Sequence, residues 1–468
     1  MTSGAAAGID AGIFRAYDIR GLVKQNFTAE VVNQIGKAIG SEALRRGQQG
    51  IAVARDGRNS SPELAGSLIA GLRATGRDVI DIGMVPTPLL YFATHHLDLR
   101  SGVMLTGSHN GPEYNGLKIV LDGETLAEGA IEDLYKRIVA ADFESGEGGL
   151  QTLDITADYV QRISSDIPDV AERPLQIVID AGNGVAGAVA PRLLRALGHE
   201  VIELFCEVDG DFPNHHPDPT RPENLRTIID KVKSEQADVG FAFDGDGDRL
   251  GVIDNNGKII WPDRQLMLFA TDVLSRNAGA AIIYDVKCSR YLRDVIEAAG
   301  GKAEMWRTGH SLIKARMKER DAPLAGEMSG HIFFKERWYG FDDALYVAAR
   351  MVEIVVNSGS SVADLFAALP EGVATPEIKV EVAEEQHQAV MRGLKEKMPF
   401  SGAELIDVDG IRVEFADGWG LIRPSNTTPC LVLRFEAEDE AALDRIRQEF
   451  NGWLQSVNPA LTIPDGNG

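Results

Sequence analysis

Val103-Met104-Leu105-Thr106-Gly107-Ser108-His109-Asn110-Gly111 joins a short apolar run to a group of small polar residues. The apolar run, 103–105, predicts a buried strand that breaks abruptly where the polar residues begin. Gly107 lets the backbone turn sharply there, which leaves the hydroxyl of Ser108 at the end of the strand. Because a serine hydroxyl is a weak nucleophile until it is activated or already loaded, this segment alone indicates no more than a turn.

A strand–helix–strand order recurs along most of the chain. The run 51–54 predicts a strand, Ser61-Pro62-Glu63 is typical of a helix start, and 79–82 predicts the next strand. The same order returns with a strand at 176–180, a helix through 194 and a strand at 200–204, and a third strand, 281–285, precedes a helix from about 290 to 299. This alternation predicts an α/β protein with three similar mixed-sheet domains.

The C-terminal part of the chain has a different pattern. Strands predicted at 410–415 and 430–435 lie closer together and alternate more, and a charged helix is predicted from about 440 to 454. This pattern predicts a separate α+β domain. Segments rich in glycine and polar residues indicate where the domains divide. The predicted domains are residues 1–153, 154–256, 257–370 and 371–468.

The composition limits the kinds of partner. The chain has 468 residues, a formal net charge of −23 and three cysteines without a CxxC pair. The charge argues against a nucleic-acid partner and requires local arginines and lysines to capture any anionic substrate. The cysteine spacing indicates a reducing compartment and no structural zinc site. Because no signal peptide or membrane-spanning run is evident, we expect a cytoplasmic protein without a membrane partner.

The strongest chemical motif is Asp244-Gly245-Asp246-Gly247-Asp248-Arg249, which lies between two predicted strands. Three carboxylates at alternate positions can fold towards one hard cation such as Mg²⁺, and without a cation their repulsion would be costly. An EF-hand does not fit, because Arg249 and Asn255 stand at the sixth and twelfth positions. A solvated acidic turn is the simpler alternative. The motif predicts a metal site with Arg249 beside it for a phosphate.

A second motif favours a different function. Gly182-Asn183-Gly184-Val185-Ala186-Gly187 follows a predicted strand and precedes a helix, with Glu203 at the end of the next strand. This spacing matches the dinucleotide-binding fingerprint, so an NAD(P)-dependent dehydrogenase is an alternative. It leaves Ser108 and the three aspartates unexplained, and close packing of a helix on a strand needs such glycines as well.

Three further loops carry polar groups that could bind a substrate. The loop 326–331 holds Glu327, Ser329 and His331 among small residues, which suits recognition of sugar hydroxyls. The turn 418–429 combines Arg423 with hydroxyls, an amide and free backbone N–H groups, a combination that can cradle a phosphate. The opening segment 13–21 has two arginines that could lie near Ser108.

Together these motifs resemble the α-D-phosphohexomutase family, most closely its bacterial phosphomannomutase/phosphoglucomutase branch. Five landmarks occur in the order typical of the family: FRAYDIRG, TGSHN, DGDGDR, GEMSGH and RPSNTTP. The resemblance covers nearly the whole chain, and the combination is far more specific than any single motif. It implies four domains around a central active-site cleft, with one loop from each domain facing the cleft.

The resemblance also implies roles for individual residues. The implied catalytic residues are Ser108, which would carry a phosphoryl group, with His109, Lys118, Arg20 and Arg249. The implied ligands of Mg²⁺ are Asp244, Asp246, Asp248 and an oxygen of the phosphorylated Ser108. The implied substrate-binding residues are Tyr17, Lys287, His310, Glu327, Ser329, His331, Arg423, Ser425, Asn426 and Thr427.

The implied reaction interconverts hexose 1-phosphate and hexose 6-phosphate, for mannose and glucose, through a hexose 1,6-bisphosphate that is also the activator. Glu327 and Ser329 would read the 3- and 4-hydroxyls, which the two sugars share because they differ only at C2. Asn426 and Met328 favour this branch over phosphoglucosamine mutases, which stay an alternative. Gly111 departs from the proline usual in the family at this position. The implied partners are sugar phosphates, and a monomer is expected.

Overall fold

The computed structural model describes residues 8–167, 173–383, 386–425 and 429–464. In these ranges four β-sheets follow one another along the chain, each with its own helices. The predicted fold class, three mixed-sheet α/β domains followed by an α+β domain, is confirmed. No helix in the same ranges is long and apolar enough to cross a membrane.

A seven-stranded mixed sheet organises the first domain. Its strands are β1 (Ile19–Leu22), β2 (Gly50–Arg55), β3 (Asp78–Met84), β4 (Gly102–Leu105), β5 (Tyr114–Leu121), β6 (Glu124–Thr125) and β7 (Leu150–Thr152). Its helices are α1 (Ala29–Arg45), α2 (Ser61–Arg73), α3 (Thr87–His96) and α4 (Gly129–Val139). The strand order is β1-β5-β4-β2-β3-β7, with β6 beside β5. Every residue of β4 is buried, because neighbouring strands and helices cover both faces, and this explains its continuous apolar sequence.

The second domain has a five-stranded sheet in the order β12-β11-β10-β8-β9. Its elements are α5 (Thr156–Asp166), β8 (Gln176–Asp180), α6 (Ala190–Ala196), β9 (Glu200–Leu204), α7 (Arg226–Glu235), β10 (Val239–Phe243), β11 (Leu250–Asp254) and β12 (Ile259–Ile260). The hairpin of β10 and β11 carries the aspartate motif at its turn. Because β12 pairs with β11, the second sheet extends beyond the predicted boundary at residue 256.

The third domain has a four-stranded sheet in the order β14-β13-β15-β16. Its elements are α8 (Pro262–Leu274), β13 (Ala281–Asp285), α9 (Tyr291–Ala298), β14 (Lys302–Trp306), α10 (His310–Arg320), β15 (Leu324–Gly326), β16 (Ile332–Phe334), α11 (Ala344–Ser358) and α12 (Val362–Ala367). Strands β14, β13 and β15 are parallel, and β16 returns antiparallel to β15. The loop with Glu327 and Ser329 is the turn between β15 and β16.

The fourth domain has an antiparallel sheet in the order β17-β22-β21-β20-β19, with β18 also paired to β22. Its elements are β17 (Val373–Ala374), β18 (Ile378–Glu381), α13 (His387–Glu396), β19 (Glu404–Ile406), β20 (Ile411–Phe415), β21 (Gly418–Pro424), β22 (Cys430–Ala437) and α14 (Glu440–Val457). The turn between β21 and β22 follows Arg423.

The apolar packing divides the molecule into two parts. One continuous cluster of buried side chains extends through the first three domains, with Leu89, Phe243 and Leu345 among its members. The fourth domain has a cluster of its own around Phe450 and Trp453. Between the third and fourth domains there is only a small cluster, formed by Val286, Trp419 and Leu421, among the described residues. The first three domains therefore form one packed body, to which the fourth is attached by a narrower interface.

Candidate active site

Ser108 follows β4 at the carboxyl end of the strand and is almost fully buried. Its φ of +50° lies in the left-handed region, where a residue with a side chain is strained and which is enriched at functional turns. Its Oγ lies 3.2 Å from Asp244 Oδ2 and 3.4 Å from His109 Nδ1. The hydroxyl therefore sits between an imidazole of its own loop and a carboxylate of the second domain.

The three aspartates of the motif converge in the turn between β10 and β11. Asp244, Asp246 and Asp248 are fully buried, and their carboxylate oxygens lie within 4.8 Å of one another. Asp244 Oδ1 accepts the backbone N–H groups of residues 247, 248 and 249 at 3.0, 3.1 and 3.2 Å. These bonds curl the loop so that the side chains predicted as metal ligands face one point.

This cluster fits a hard cation. Oδ1 of Asp246 and Oδ1 of Asp248 are buried, and neither meets a hydrogen-bond donor from the described residues. Burial, with the charges of Asp246 and Asp248, raises the pKa of Asp244 well above its ordinary value. Carboxylate oxygens are the ligands that Mg²⁺ prefers, and a divalent cation would remove the repulsion that raises this pKa.

Lys118 on β5 lies against the same cluster. Its Nζ is 2.7 Å from Asp246 Oδ2 and also donates to Asp248. Burial alone would lower the pKa of Lys118, but the charges of Asp246 and Asp248 outweigh burial and raise it. The pKa of Asp246 is lowered in turn, because the charge of Lys118 outweighs its burial. The hydroxyl of Thr87, which sequence reasoning missed, also donates to Asp246.

Two arginines lie on either side of the serine loop. Arg20 on β1 donates to Asp18 and to the side chain of Asn110 in that loop. Arg249 Nε donates to His331 Nε2 at 3.0 Å and lies 3.9 Å from Asp244 Oδ2. Both arginines predicted as catalytic are therefore beside Ser108 or its partner carboxylate.

The neutral state of His109 follows from its surroundings. Burial and the positive charges of Arg249 and Arg20 lower the pKa of His109 well below its ordinary value. A neutral imidazole has one nitrogen that accepts a proton. The side chain beside the Ser108 hydroxyl therefore carries no positive charge at neutral pH and can accept a hydrogen bond at one of its two ring nitrogens.

Glu327 and Ser329 lie in the turn between β15 and β16. Glu327 Oε1 accepts the Gly309 N–H at 2.6 Å, and Oε2 accepts the Ser329 hydroxyl at 2.9 Å. Burial raises the pKa of Glu327. Tyr17 of the first domain donates its hydroxyl to the Thr308 carbonyl at 2.8 Å, next to Gly309. The first and third domains therefore meet at this loop.

His310 and His331 stack beside each other, with ring centroids 5.5 Å apart. Because His331 Nε2 accepts from Arg249, its proton is on Nδ1, which lies 3.1 Å from Asp342 Oδ2. Lys314 Nζ donates to the other oxygen of Asp342 at 2.9 Å. Asp342 and Lys314 are buried partners that the sequence did not reveal, since neither lies in a recognisable motif.

The fourth domain contributes Arg423, whose Nε and Nη2 lie 3.0 and 3.3 Å from the two oxygens of Asp409. The Ser425 N–H donates to Cys430 O at 2.9 Å, which closes the turn between β21 and β22. Asn426 and Thr427, which the sequence also placed in the phosphate-binding turn, lie outside the described residues.

Lys287 of the third domain lies at the interface with the fourth. Its Nζ is 2.5 Å from Glu377 Oε1 and 3.6 Å from Asp285 Oδ2. Burial alone would lower the pKa of Lys287, but the charges of Glu377 and Asp285 raise it. Glu377 is the partner that sequence reasoning missed. The pair joins the third and fourth domains next to the predicted phosphate-binding turn.

The glycine motif 182–187 is explained by packing. A Cβ at Gly187 would lie 2.2 Å from Cys206 O, and one at Gly184 would lie 2.9 Å from Gly245 of the aspartate loop. Both positions therefore require glycine without a dinucleotide. The motif places the turn that follows β8 against the aspartate loop, and it gives no support to the dehydrogenase alternative.

All four models of one family match the chain in order. The phosphoglucomutase/phosphomannomutase alpha/beta/alpha domains I, II and III match residues 11–145, 157–257 and 261–373, and the C-terminal domain matches residues 377–452. The chain belongs to the phosphoglucomutase/phosphomannomutase family. The α-D-phosphohexomutase resemblance predicted from the five landmarks is therefore confirmed.

Members of this family match over almost their whole length. The phosphomannomutase/phosphoglucomutase of Pseudomonas aeruginosa is 54% identical over 464 residues, which cover 99% of this chain and 100% of the relative. The phosphoglucomutase of Neisseria gonorrhoeae is 50% identical over 463 residues, 98% of this chain and 100% of the relative. A crystal structure of a phosphoglucomutase/phosphomannomutase family protein from Burkholderia thailandensis is 52% identical, with a TM-score of 0.93 over 98% of this chain and 100% of that one.

Proposed function

We propose that this protein is a phosphohexomutase that interconverts the 1-phosphates and 6-phosphates of mannose and glucose through a phosphorylated Ser108 and a hexose 1,6-bisphosphate. The observation that carries the proposal is the position of Ser108 Oγ, 3.2 Å from one carboxylate of a buried three-aspartate cluster. Phosphoryl transfer needs positioning and charge neutralisation more than covalent help from the protein. The close relatives named as phosphomannomutase/phosphoglucomutase support the same activity.

Asp244, Asp246, Asp248 and an oxygen of the phosphorylated Ser108 would hold Mg²⁺. The ion, when bound, would neutralise the negative charge on the oxygens of the transferring phosphoryl group. Arg20 and Arg249 would bind the same oxygens from the sides of the loop, since guanidinium groups match phosphate geometry. Lys118, which Asp246 and Asp248 keep protonated, would add a further positive charge.

The proton balance of the transfer requires one base and one acid. The free hydroxyl of the hexose phosphate loses a proton as it attacks phosphorus, and Ser108 Oγ gains one as the phosphoryl group leaves it. His109, with Nδ1 at 3.4 Å from Ser108 Oγ, and Lys118 are the candidate groups for these two proton transfers. In the return transfer the roles reverse.

Substrate recognition would involve the third and fourth domains. Glu327 and Ser329 would bind the 3- and 4-hydroxyls, which are common to mannose and glucose. His310 and His331 lie beside this loop and would line the sugar site. The phosphate that is not transferred would be bound by Tyr17, Lys287, Arg423 and Ser425, together with Asn426 and Thr427 of the predicted phosphate-binding turn. Because the bisphosphate must turn end over end between transfers, this group would accept either phosphate.

The test is a ³¹P NMR assay of the purified protein with Mg²⁺, a trace of glucose 1,6-bisphosphate and mannose 1-phosphate. We expect conversion to mannose 6-phosphate, loss of conversion in Ser108→Ala, and full activity in Ser234→Ala, which alters an exposed serine of α7. Conversion of glucosamine 1-phosphate alone would favour the phosphoglucosamine alternative. Conversion of none of mannose 1-phosphate, glucose 1-phosphate and glucosamine 1-phosphate, or an active Ser108→Ala variant, would refute the proposal.

A further inference from the structure

Arg58 is a buried arginine that lies beneath the serine loop. It follows β2, in the segment that joins this strand to α2, and only 1% of its surface is exposed. Its Nε donates to Asp56 Oδ2 at 3.0 Å. Asp56 is itself held by the Ser61 hydroxyl at 2.6 Å and by the Gly107 N–H at 3.1 Å. The guanidinium is therefore fixed at one end by a carboxylate that already contacts the serine loop.

The other four N–H groups of Arg58 donate to backbone carbonyls of the serine loop. Nη2 donates to Ser108 O at 2.8 Å and to Asn110 O at 2.6 Å. Nη1 donates to Tyr114 O at 3.1 Å and to Gly111 O. An arginine has five N–H donors in a fixed plane, and here all five meet an acceptor. The loop from Ser108 to Tyr114 thus curls around one rigid side chain.

Close packing on several sides keeps the guanidinium in place. A Cβ at Gly107 would lie 2.4 Å from Arg58 Cζ, so only glycine at this position leaves room for the guanidinium. A Cβ at Gly245 would lie 2.4 Å from Ser108 O, so the aspartate loop packs closely against the same carbonyl that Arg58 binds. The ring of Phe212, from the second domain, lies 5.1 Å from Arg58 Cζ. The serine loop, the aspartate loop and Phe212 of the second domain therefore meet around Arg58.

From this arrangement we infer that Arg58 is a positioning residue for the proposed phosphoryl transfer: it holds Ser108 in its left-handed conformation at the aspartate cluster. The inference rests on the proposed function. Arg58 contacts the serine loop only through backbone carbonyls and does not itself contact the reacting hydroxyl, so it acts through the loop.

A lysine at this position could not take over the contacts. Its ammonium has three donors at one point, whereas the four carbonyls are spread around a plane. Displacement of a reacting group by about 1 Å can cost on the order of 10²-fold in rate. We therefore expect Arg58→Lys to lower kcat by about 10²-fold and to leave KM within about twofold, because the groups proposed to bind the substrate lie elsewhere.

The experiment measures kcat and KM for mannose 1-phosphate, together with the rate at which glucose 1,6-bisphosphate phosphorylates Ser108, followed by intact mass. The matched control is Arg77→Lys, a buried arginine that donates to Gln48 O at 2.7 Å at the opposite edge of the same sheet. We expect the control to lose thermal stability to a similar degree as Arg58→Lys and to keep its kcat and phosphorylation rate.

If Arg58→Lys does not fold, Gly107→Ala provides the second variant, because its methyl group would displace the guanidinium without removing a charge. The same loss of kcat at unchanged KM is expected. The inference would be overturned if a folded Arg58→Lys variant had a kcat within about threefold of an active wild type. Gly107→Ala takes its place if Arg58→Lys does not fold, and the proposed function would stay intact in either case. A wild type that converts no hexose phosphate would instead refute the proposed function, and this inference with it.

Discussion

The two halves of the candidate site are built in different ways. In the inner half, which consists of Ser108, Lys118 and the aspartate loop, every ionisable group is buried and shares its partners with others. This half lies within the body that one apolar cluster forms from the first three domains. The outer half has two separate groups of charges, Lys287 with Glu377 and Asp285, and Arg423 with Asp409. That half lies at the narrower interface with the fourth domain.

The difference corresponds to two tasks. Transfer of a phosphoryl group is sensitive to small displacements, so the groups around Ser108 have to be fixed relative to one another. Binding a phosphate that can arrive from either end of the sugar depends more on charge than on one fixed geometry. We therefore expect substitutions in the inner half to change kcat and those in the outer half to change KM.

The largest effect is expected for Asp246→Asn. The amide keeps the shape of the side chain but removes a negative charge that pairs with Lys118 and belongs to the proposed Mg²⁺ site. We expect kcat to fall by roughly 10³-fold and the affinity for Mg²⁺ to fall as well. Steady-state kinetics and a Mg²⁺ titration measure both. Asp254→Asn, at the other end of β11, is the control and should keep its kcat. An Asp246→Asn variant with normal kcat at saturating Mg²⁺ would mean that the inner half tolerates lost charge.

Glu327→Gln tests the loop between β15 and β16 that is proposed to bind the sugar. One oxygen of Glu327 accepts from Gly309 and the other from Ser329, and a glutamine can accept at only one of these positions. Loss of a charge-assisted hydrogen bond of about 1.5–3 kcal/mol predicts a 10–100-fold lower kcat/KM. The comparison of glucose 1-phosphate with galactose 1-phosphate, which differs at C4, measures specificity. We expect the variant to discriminate less, and unchanged discrimination would remove Glu327 from hydroxyl recognition.

Arg423→Lys tests the outer half directly. The lysine keeps the positive charge but loses the two-pronged contact with Asp409. We expect KM to rise by about tenfold while kcat stays within about twofold, because positioning of Ser108 is unaffected. The control is Arg445→Lys, an arginine on the outer surface of α14. A fall in kcat at constant KM would contradict the division of tasks.

The smallest effect concerns pH and the Lys287–Glu377 pair. Burial would raise the pKa of Glu377, but the charge of Lys287 outweighs it and lowers the pKa from 4.5 to about 2. Because the pKa is lower in the folded state, the pair stabilises the fold at pH values above the pKa of the unfolded chain. This stability is lost as the pH falls from 4.5 towards 2. Because 34% of the Glu377 side chain is exposed, solvent screening limits the contribution to about 1 kcal/mol.

The measurement for this pair is urea unfolding of the wild type and Glu377→Gln at several pH values. We expect the two unfolding free energies to differ most at pH values above the ordinary pKa of a glutamate and to converge as the pH falls. Glu396→Gln, at an exposed position of α13, should follow the wild type throughout. Parallel curves for the wild type and Glu377→Gln would show that the ion pair does not contribute to the interface.

Much of the fold could be predicted from the sequence because the central strands are continuous apolar runs. The predicted strands 176–180 and 281–285 coincide with the buried strands β8 and β13, and the strand predicted at 200–204 coincides with β9 at the edge of its sheet. Such runs carry a strong local signal, and the side chains that follow them gather at one edge of a parallel sheet. The same reasoning explains why Ser108 could be singled out.

The partners of the site residues could not be predicted in this way. Arg58 stands between the predicted strand 51–54 and the helix start at Ser61, and nothing local shows that its donors reach the serine loop. Asp342 meets His331 through tertiary packing, and Glu377 meets Lys287 across a domain interface. Contacts between residues far apart in the chain depend on how whole domains pack, and a single sequence does not record that packing.

The most direct test of the central claim is to locate the phosphoryl group during one turnover. The wild type is first incubated with Mg²⁺ and glucose 1,6-bisphosphate, freed of the sugar, and mapped by peptide mass spectrometry. Excess mannose 1-phosphate is then added, and both protein and sugar are followed with time. The account predicts a phosphoryl group on Ser108 that passes to mannose 1-phosphate to give mannose 1,6-bisphosphate, and a phosphoryl group that returns to Ser108 from the other end of this intermediate as mannose 6-phosphate forms. A phosphoryl group on another residue, or conversion of the sugar by protein that carries no phosphoryl group, would contradict it.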